Sequence, residues 1–204
     1  MANAMGRLEI EAQFVALGDV KRRLPGVDGV WVFVFADMMV FALLFGSFML
    51  SRRQNPAVFE VSRHGLNPNF GGVNTLILLT SSWCAALALN AVRKSRFVLA
   101  KRFIAGALLC GFAFMVSKAI EYTEKLEDGV SLLTNDFFMY YFTLTGIHLV
   151  HVFAGTIVLL VLWFMARSRS FDPERPVVLE CGAIYWHMVD LLWILLFPLL
   201  YLMR

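Results

Sequence analysis

Five long apolar segments occupy most of this 204-residue chain and leave few folds open to it. A helix rises about 1.5 Å per residue, so roughly 20 apolar residues cross the ~30 Å hydrocarbon core of a bilayer. Each segment meets this length, and 59% of the residues are hydrophobic while only 16% are charged. We therefore predict an all-α integral membrane bundle of five transmembrane helices. The five segments cover residues 29–50, 72–92, 99–121, 137–166 and 180–203.

A soluble bundle with unusually apolar helices is the alternative fold. The amphipathic helices of a soluble bundle need polar outer faces. The stretch Trp31–Leu50 contains only Asp37 and Ser47 as strongly polar side chains, so it cannot form such a face. Membrane insertion is therefore the fold that we prefer.

The basic residues predict the orientation of the chain. Residues 1–28 are polar and lack the apolar stretch of a cleavable signal peptide, so we predict a tail over 1–28 and a membrane domain over 29–204. Because cytoplasmic loops carry an excess of Lys and Arg, we predict a cytoplasmic N-terminus and a periplasmic C-terminus. The net charge of +3 then reflects topology, and we expect no nucleic-acid partner. Lys and Arg number four in the tail, five in 93–102 and three in 167–179, against three in 51–71, one in 122–136 and one at the C-terminus.

Local signals predict where the helices begin and end. Asn55-Pro56 and Asn67-Pro68 are turn-forming pairs, so we predict a loop over residues 51–71. Thr134-Asn135-Asp136 indicates an N-terminal cap for the fourth helix. Pro198 predicts a kink in the fifth helix, because proline cannot complete the helical hydrogen bonds.

Two apolar segments contain histidines that a lipid-facing helix could hardly keep. His148 and His151 lie three residues apart, as do His187 and Asp190, so each pair shares one side of a helix. Ionisable residues within membrane helices usually turn inward and find partners. Lys118 and Glu121 have the same spacing and can pair within their helix, and the alternative is that Glu121 reaches the histidines of the fourth helix. The buried polar network that we predict comprises Asp37, Glu121, His148, His151, His187 and Asp190.

A free-standing membrane metalloenzyme is the alternative function that these residues allow. A His-x-x-His spacing can place two metal ligands on one side of a helix. A second possibility is a haem bound between histidines of two facing helices. Di-iron sites of helix bundles, however, use more carboxylates in Glu-x-x-His motifs, which are absent here. No nucleotide-binding or serine-nucleophile motif occurs. We therefore expect no catalytic residue, metal site or cofactor in this chain.

Several motifs, in order along the chain, resemble subunit III of the haem–copper oxidase superfamily. The resemblance extends from about residue 25 to the end and includes a Glu-Tyr pair at Glu121-Tyr122. The two most distinctive motifs lie on separate predicted helices, and their joint occurrence makes the resemblance strong. The motifs are Asn74-Thr75 with Ser81-Ser82, Thr145-Gly146-x-His148-x-x-His151-Val152-x-x-Gly155, and Tyr185-Trp186-His187-x-Val189-Asp190-x-x-Trp193.

The resemblance implies an accessory subunit without haem or copper, bound beside a haem-containing catalytic subunit I that it stabilises. It also implies bound phospholipid. Family members with seven helices are the full-length form, and five helices are typical of shorter bacterial members, which implies a multi-pass protein of the bacterial inner membrane. Because basic residues at the cytoplasmic rim attract anionic headgroups, we expect Arg93, Lys94 and Arg96 to contact lipid.

Two departures from the usual family pattern indicate a branch of the family. Asp37 stands where the family usually has Glu, and an aromatic run over residues 137–142 precedes Thr145-Gly146. This run, together with Ala36-Asp37-Met38, resembles the branch associated with nitric oxide reductases of denitrifying bacteria. We favour that branch over a respiratory cytochrome c oxidase subunit.

Overall fold

The computed structural model describes residues 24–168, 171–172 and 176–203, so most of the predicted tail lies outside the described residues. The described residues form six α-helices and a final π-helical turn, and they include no β-strand. Five of the helices are long and apolar enough to cross a membrane, which confirms the predicted all-α fold with five spans. The helices are α1 (Asp28–Gln54), α2 (Pro56–His64), α3 (Pro68–Arg93), α4 (Phe97–Glu127), α5 (Asp136–Arg167) and α6 (Val177–Phe197), and the π-helical turn is Pro198–Leu202.

Asparagine side chains begin two of the spanning helices. Asn67 accepts a hydrogen bond from the backbone N–H of Asn69 at 3.0 Å, and Pro68 occupies the first helical position. Asn135 accepts from the N–H of Phe138, also at 3.0 Å, so the predicted cap of α5 is confirmed. Such caps satisfy N–H groups that have no acceptor within the helix.

The segment predicted as a loop over residues 51–71 contains the short helix α2. Pro56 starts this helix because its fixed φ and missing N–H suit the first helical position. Phe59 is buried, with its ring centroid 5.3 Å from that of Phe48 on α1 and 5.7 Å from that of Phe137 on α5. The loop prediction was wrong here because a nine-residue helix is too short to produce a long apolar segment.

Helices α3, α4, α5 and α6 form a four-helix core. Each packs against the next in sequence, and α6 closes the ring by packing against α3, while α1 lies outside it against α5 and α6. At the end of α6 the α-helical pattern stops at Phe197 and the π-helical turn begins at Pro198. The chain therefore changes its helical hydrogen bonding at the proline that the sequence indicated.

Core side chains recur at seven-residue steps on all four core helices, as in coiled-coil-like packing. In the first layer, the Ser81 hydroxyl donates to the Ala107 carbonyl oxygen at 3.0 Å and accepts from the Trp186 indole N–H at 3.0 Å. Seven residues further along each helix lies a second layer, and another seven residues lead to Glu121 on α4 and Tyr141 on α5. In this order we call the three layers the serine layer (Ser81, Ala107, Gly155, Trp186), the histidine layer (Asn74, Phe114, His148, Trp193) and the lysine layer (Lys118, Glu121, Tyr141, Tyr201).

The Trp186 indole fits between two glycines. A Cβ atom on Gly155 would lie 2.7 Å from Trp186 Cε3, and one on Gly111 would lie 3.0 Å from Trp186 Cη2. Small residues let membrane helices and large side chains approach closely, since packing is a main source of helix association in lipid. The two glycines therefore create the space that brings α4, α5 and α6 together around this side chain.

Candidate functional site in the membrane core

The six predicted polar residues occupy four separate places in the bundle. Asp37 and His151 are the only two of them that hydrogen-bond to each other within the described residues. Glu121 belongs to the lysine layer, and His187 bonds to Ser82. His148 and Asp190 are buried in the core. The arrangement is thus a set of local interactions between particular helices.

The lysine layer holds an ion pair between Lys118 and Glu121, whose side chains are only 1% and 4% exposed. Lys118 Nζ donates to Glu121 Oε2 at 2.8 Å, to the Tyr141 hydroxyl at 3.2 Å and to the Tyr201 hydroxyl at 3.3 Å. Both phenols donate in turn to Glu121 Oε1. Each ammonium proton has an acceptor and each phenol both donates and accepts, so the network is closed and carries no net charge.

Aromatic rings surround the Lys118 ammonium. Its Nζ lies 5.0 Å from the ring centroid of Tyr141 and 5.4 Å from that of Trp193. Ring faces attract a cation most strongly where water is absent. This cage and the closed network together tie α4 and α5 to the π-helical turn that carries Tyr201.

Tyr141 and Tyr201 are the residues of this layer that sequence reasoning missed. Tyr141 lies within the aromatic run and Tyr201 near the chain end, where aromatic residues are expected at a membrane interface. The Lys118–Glu121 spacing could have indicated that further hydrogen-bonding side chains lie nearby, because a buried ion pair needs additional hydrogen bonds to offset its desolvation.

The Asp37–His151 pair joins α1 to α5. His151 Nδ1 lies 2.8 Å from the Ile147 carbonyl oxygen, which can only accept, so Nδ1 carries a proton. Nε2 lies 3.1 Å from Asp37 Oδ1, and a hydrogen bond there requires a second proton between these two atoms. The pair is therefore neutral overall, as imidazolium with carboxylate or as imidazole with carboxylic acid. A neutral pair suits the membrane interior, where an unpaired charge is costly.

His187 and His148 have different surroundings. His187 Nδ1 lies 2.5 Å from the Ser82 hydroxyl oxygen, which links α6 to α3. His148 is fully buried, with its ring centroid 5.7 Å from that of Phe114 and 5.3 Å from that of Trp193. His148 thus lies in an aromatic environment, while His187 has a polar partner.

The three predicted lipid contacts lie at the α3–α4 connection, and one of them is already paired. Arg93 donates to Glu180 Oε1 at 2.7 Å, and Glu180 Oε2 accepts from the Gly26 N–H at 2.9 Å. Lys94 and Arg96 are exposed. Glu180 therefore connects the segment before α1 to the ends of α3 and α6.

The part of the chain that the structure describes contains no set of side chains that could bind a metal ion. No three side chains among its His, Cys, Asp and Glu residues come close enough together to hold a metal ion. Cys84, Cys110 and Cys181 are free thiols. The metalloenzyme alternative therefore receives no support from the described residues.

A sequence model described as cytochrome c oxidase subunit III matches residues 20–204 of this chain. The chain belongs to the cytochrome c oxidase subunit III family. Cytochrome c oxidase subunit 3 of Corynebacterium diphtheriae is 29% identical over 178 residues, which cover 86% of this chain and 87% of that protein. Its counterpart from Thermostichus vulcanus is 30% identical and covers 87% of each chain. Quinol oxidase subunit 3 of Bacillus spizizenii is 26% identical, covering 86% of this chain and 85% of that protein.

Membership of the subunit III family confirms the resemblance seen in the motifs. Together with the five apolar helices, it shows a multi-pass bacterial membrane protein. The distinctive subunit III motifs fall on the core layers: the α5 motif supplies His148 and Gly155, and the α6 motif supplies Trp186 and Trp193. Both motifs are thus used to pack the four-helix core.

Proposed function

We propose that this chain is a non-catalytic accessory subunit that packs beside a haem-containing catalytic membrane subunit of subunit I type. The match to the subunit III family over residues 20–204 carries this proposal. The local geometry supports it, because the polar groups join helices of this chain to one another: Tyr141 and Tyr201 hydrogen-bond to Glu121, and Asp37 hydrogen-bonds to His151. Stabilisation of the catalytic subunit in the bacterial inner membrane is the role that follows.

Within the family, we propose the branch associated with nitric oxide reductases. The family match and the oxidase relatives named above, which are 26–30% identical, establish the family. The proposed branch depends on two sequence features. Asp37 replaces the usual Glu and reaches His151 with the shorter side chain. In the aromatic run, Phe137 packs against α1 and α2, and Tyr141 enters the lysine layer. These two features support a subunit adapted to a nitric-oxide-reducing partner.

Purification of the tagged chain from its native membranes in a mild detergent tests both levels of this proposal. We expect a haem-bearing membrane protein to co-purify and to give a visible haem spectrum. Nitric oxide consumption by the purified complex would support the proposed branch, and dioxygen consumption alone would overturn the branch while leaving the accessory role intact. A metal-loaded chain without a partner would overturn the accessory role and favour the metalloenzyme.

We further propose that the cytoplasmic rim binds phospholipid headgroups through Arg93, Lys94 and Arg96. Arg96 and Arg102 line a surface hollow of about 460 Å³ together with apolar residues of the first turn of α4. Guanidinium groups beside an apolar surface at the membrane boundary suit a phosphate above acyl chains. Arg93 also has Glu180 as a partner, so Arg96 and Lys94 offer the freer positive charge.

Native mass spectrometry of the purified complex tests the lipid proposal. We expect retained phospholipid in the original protein and less of it when Lys94 and Arg96 are both replaced by Gln. Arg53→Gln is the matched control, because Arg53 is an exposed arginine at the end of α1. Complete absence of lipid, or equal loss in the control, would overturn this proposal.

A further inference from the structure

Two buried polar side chains in the core make no hydrogen bond within the described part of the chain. They are Asn74 on α3 and His148 on α5, and both are 0% exposed. Both polar atoms of each side chain are enclosed and unpartnered. Buried polar groups of native proteins nearly always have partners, so two such side chains in one small bundle call for an explanation.

The seven-residue register places both side chains in the histidine layer. Asn74 and His148 belong to helices that lie diagonally across the four-helix ring, with Phe114 and Trp193 on the other two helices. The two side chains thus belong to one layer of the core, at one level of the membrane.

The neighbouring side chains cannot supply the missing hydrogen bonds. Phe114 has no polar atom, and the Trp193 indole N–H already donates to the Thr75 hydroxyl at 3.0 Å. Both rings pack directly against His148, with centroids 5.7 Å and 5.3 Å from the imidazole. A partner for these polar atoms must therefore be a small molecule inside the core.

The unpartnered atoms determine the chemistry of that molecule. A neutral histidine has one N–H donor and one nitrogen acceptor, and an asparagine side chain both donates and accepts. A metal ion would leave the donors of Asn74 and His148 unpaired, whereas an anion would leave the acceptors unpaired. Water satisfies both kinds of atom, and buried waters typically make about three hydrogen bonds to groups of this kind.

We infer that ordered water molecules occupy the histidine layer and hydrogen-bond to Asn74 and His148. The polar groups of the core then form a continuous column through the bundle. At one end of this column is the Lys118–Glu121 pair, and at the other is the Ser82–His187 hydrogen bond.

Hydroxyl-radical footprinting by X-ray pulses, with the full chain in its membrane complex, tests this inference. Radicals formed from ordered internal water modify the side chains beside it, even where bulk solvent does not reach. Phe114 and Phe48 form a matched pair, because they are 0% and 1% exposed and Phe48 lies among aromatic rings from α2 and α5. We expect severalfold more modification of Phe114 than of Phe48. Equal modification of the two side chains would overturn the inference.

A variant provides the second measurement. Replacing Asn74 and His148 together by Leu removes the polar atoms that would bind the water, so modification of Phe114 should fall to the level of Phe48. Persistence of Phe114 modification in a folded Asn74→Leu/His148→Leu complex would overturn the inference. If the variant does not assemble, the comparison of Phe114 with Phe48 in the original chain decides the question alone.

Discussion

His151 hydrogen-bonds to Asp37 across the contact between α5 and α1, with Nε2 3.1 Å from Oδ1. Only 11% of the apolar window of α1 is buried within the bundle, so this helix has less packing to hold it than the other spans have. The pair provides a polar tie between α1 and the four-helix core. Loss of either partner leaves the other without this hydrogen bond.

Replacement of His151 by Leu should lower the yield of the assembled complex. The change leaves the Asp37 carboxyl group without a partner in the membrane, and breaking a buried pair in this way costs about 3–5 kcal/mol. We expect severalfold less chain to co-purify with its catalytic partner than from the original protein. Leu109→Ala is the control, because Leu109 is 70% exposed. Equal yield and equal partner activity for the two variants would contradict this prediction.

Replacement of Asp37 by Asn should be milder than His151→Leu. The Asn amide can donate to His151 Nε2 while Nδ1 continues to donate to the Ile147 carbonyl oxygen, so no charge is left alone. We expect the co-purified yield of Asp37→Asn to lie between those of His151→Leu and the original chain. A yield as low as that of His151→Leu would show that the tie requires a carboxyl group.

Replacement of Lys118 by Met should destabilise the chain strongly. Glu121 would remain enclosed with two phenols and no cation, at a cost of about 3–5 kcal/mol. The double variant Lys118→Met/Glu121→Gln removes both charges and should recover much of the lost stability. The measurement is the thermal unfolding midpoint of each variant in the same detergent. A double variant less stable than Lys118→Met would contradict the prediction.

Replacement of Gly155 by Ala should also destabilise the core. The added Cβ would lie 2.7 Å from Trp186 Cε3, and overpacking of this kind typically costs about 1–3 kcal/mol. Gly72→Ala is the matched control, since a Cβ there meets nothing within 4 Å and alanine favours a helix. We expect a lower unfolding midpoint for Gly155→Ala and an equal or higher one for Gly72→Ala. Equal midpoints for the two variants would count against the proposed fit of Trp186.

The predicted orientation can be tested with alkaline phosphatase fusions, which are active only outside the cytoplasm. A fusion after Ser95 follows the basic end of α3 and should be inactive, because positively charged loops stay in the cytoplasm. A fusion after Asp128 follows α4 and should be active. The reverse pattern of activities would place the N-terminus in the periplasm.

Hydropathy determined the five membrane spans without knowledge of the tertiary structure. A helix of about 20 apolar residues satisfies its own backbone hydrogen bonds in lipid, so a span is a local property of the chain. The asparagine cap of α5 was predictable for the same reason, since Asn135 and Phe138 lie within one turn. Helix α2 was not, because it is short and part of its packing comes from residues distant in sequence.

Only the tertiary structure decided which polar groups meet. Glu121 and Tyr201 are 80 residues apart in sequence and come together because α4 and the π-helical turn are neighbours. His148 and His151 share one side of α5, yet three residues of a 3.6-residue turn leave them about 60° apart. That angle directs His148 into the aromatic core and His151 towards Asp37 on α1. Sequence spacing predicts which side chains share one side of a helix. The partner of each side chain depends on how each helix is rotated and which helices lie next to it, and a local sequence pattern does not determine either.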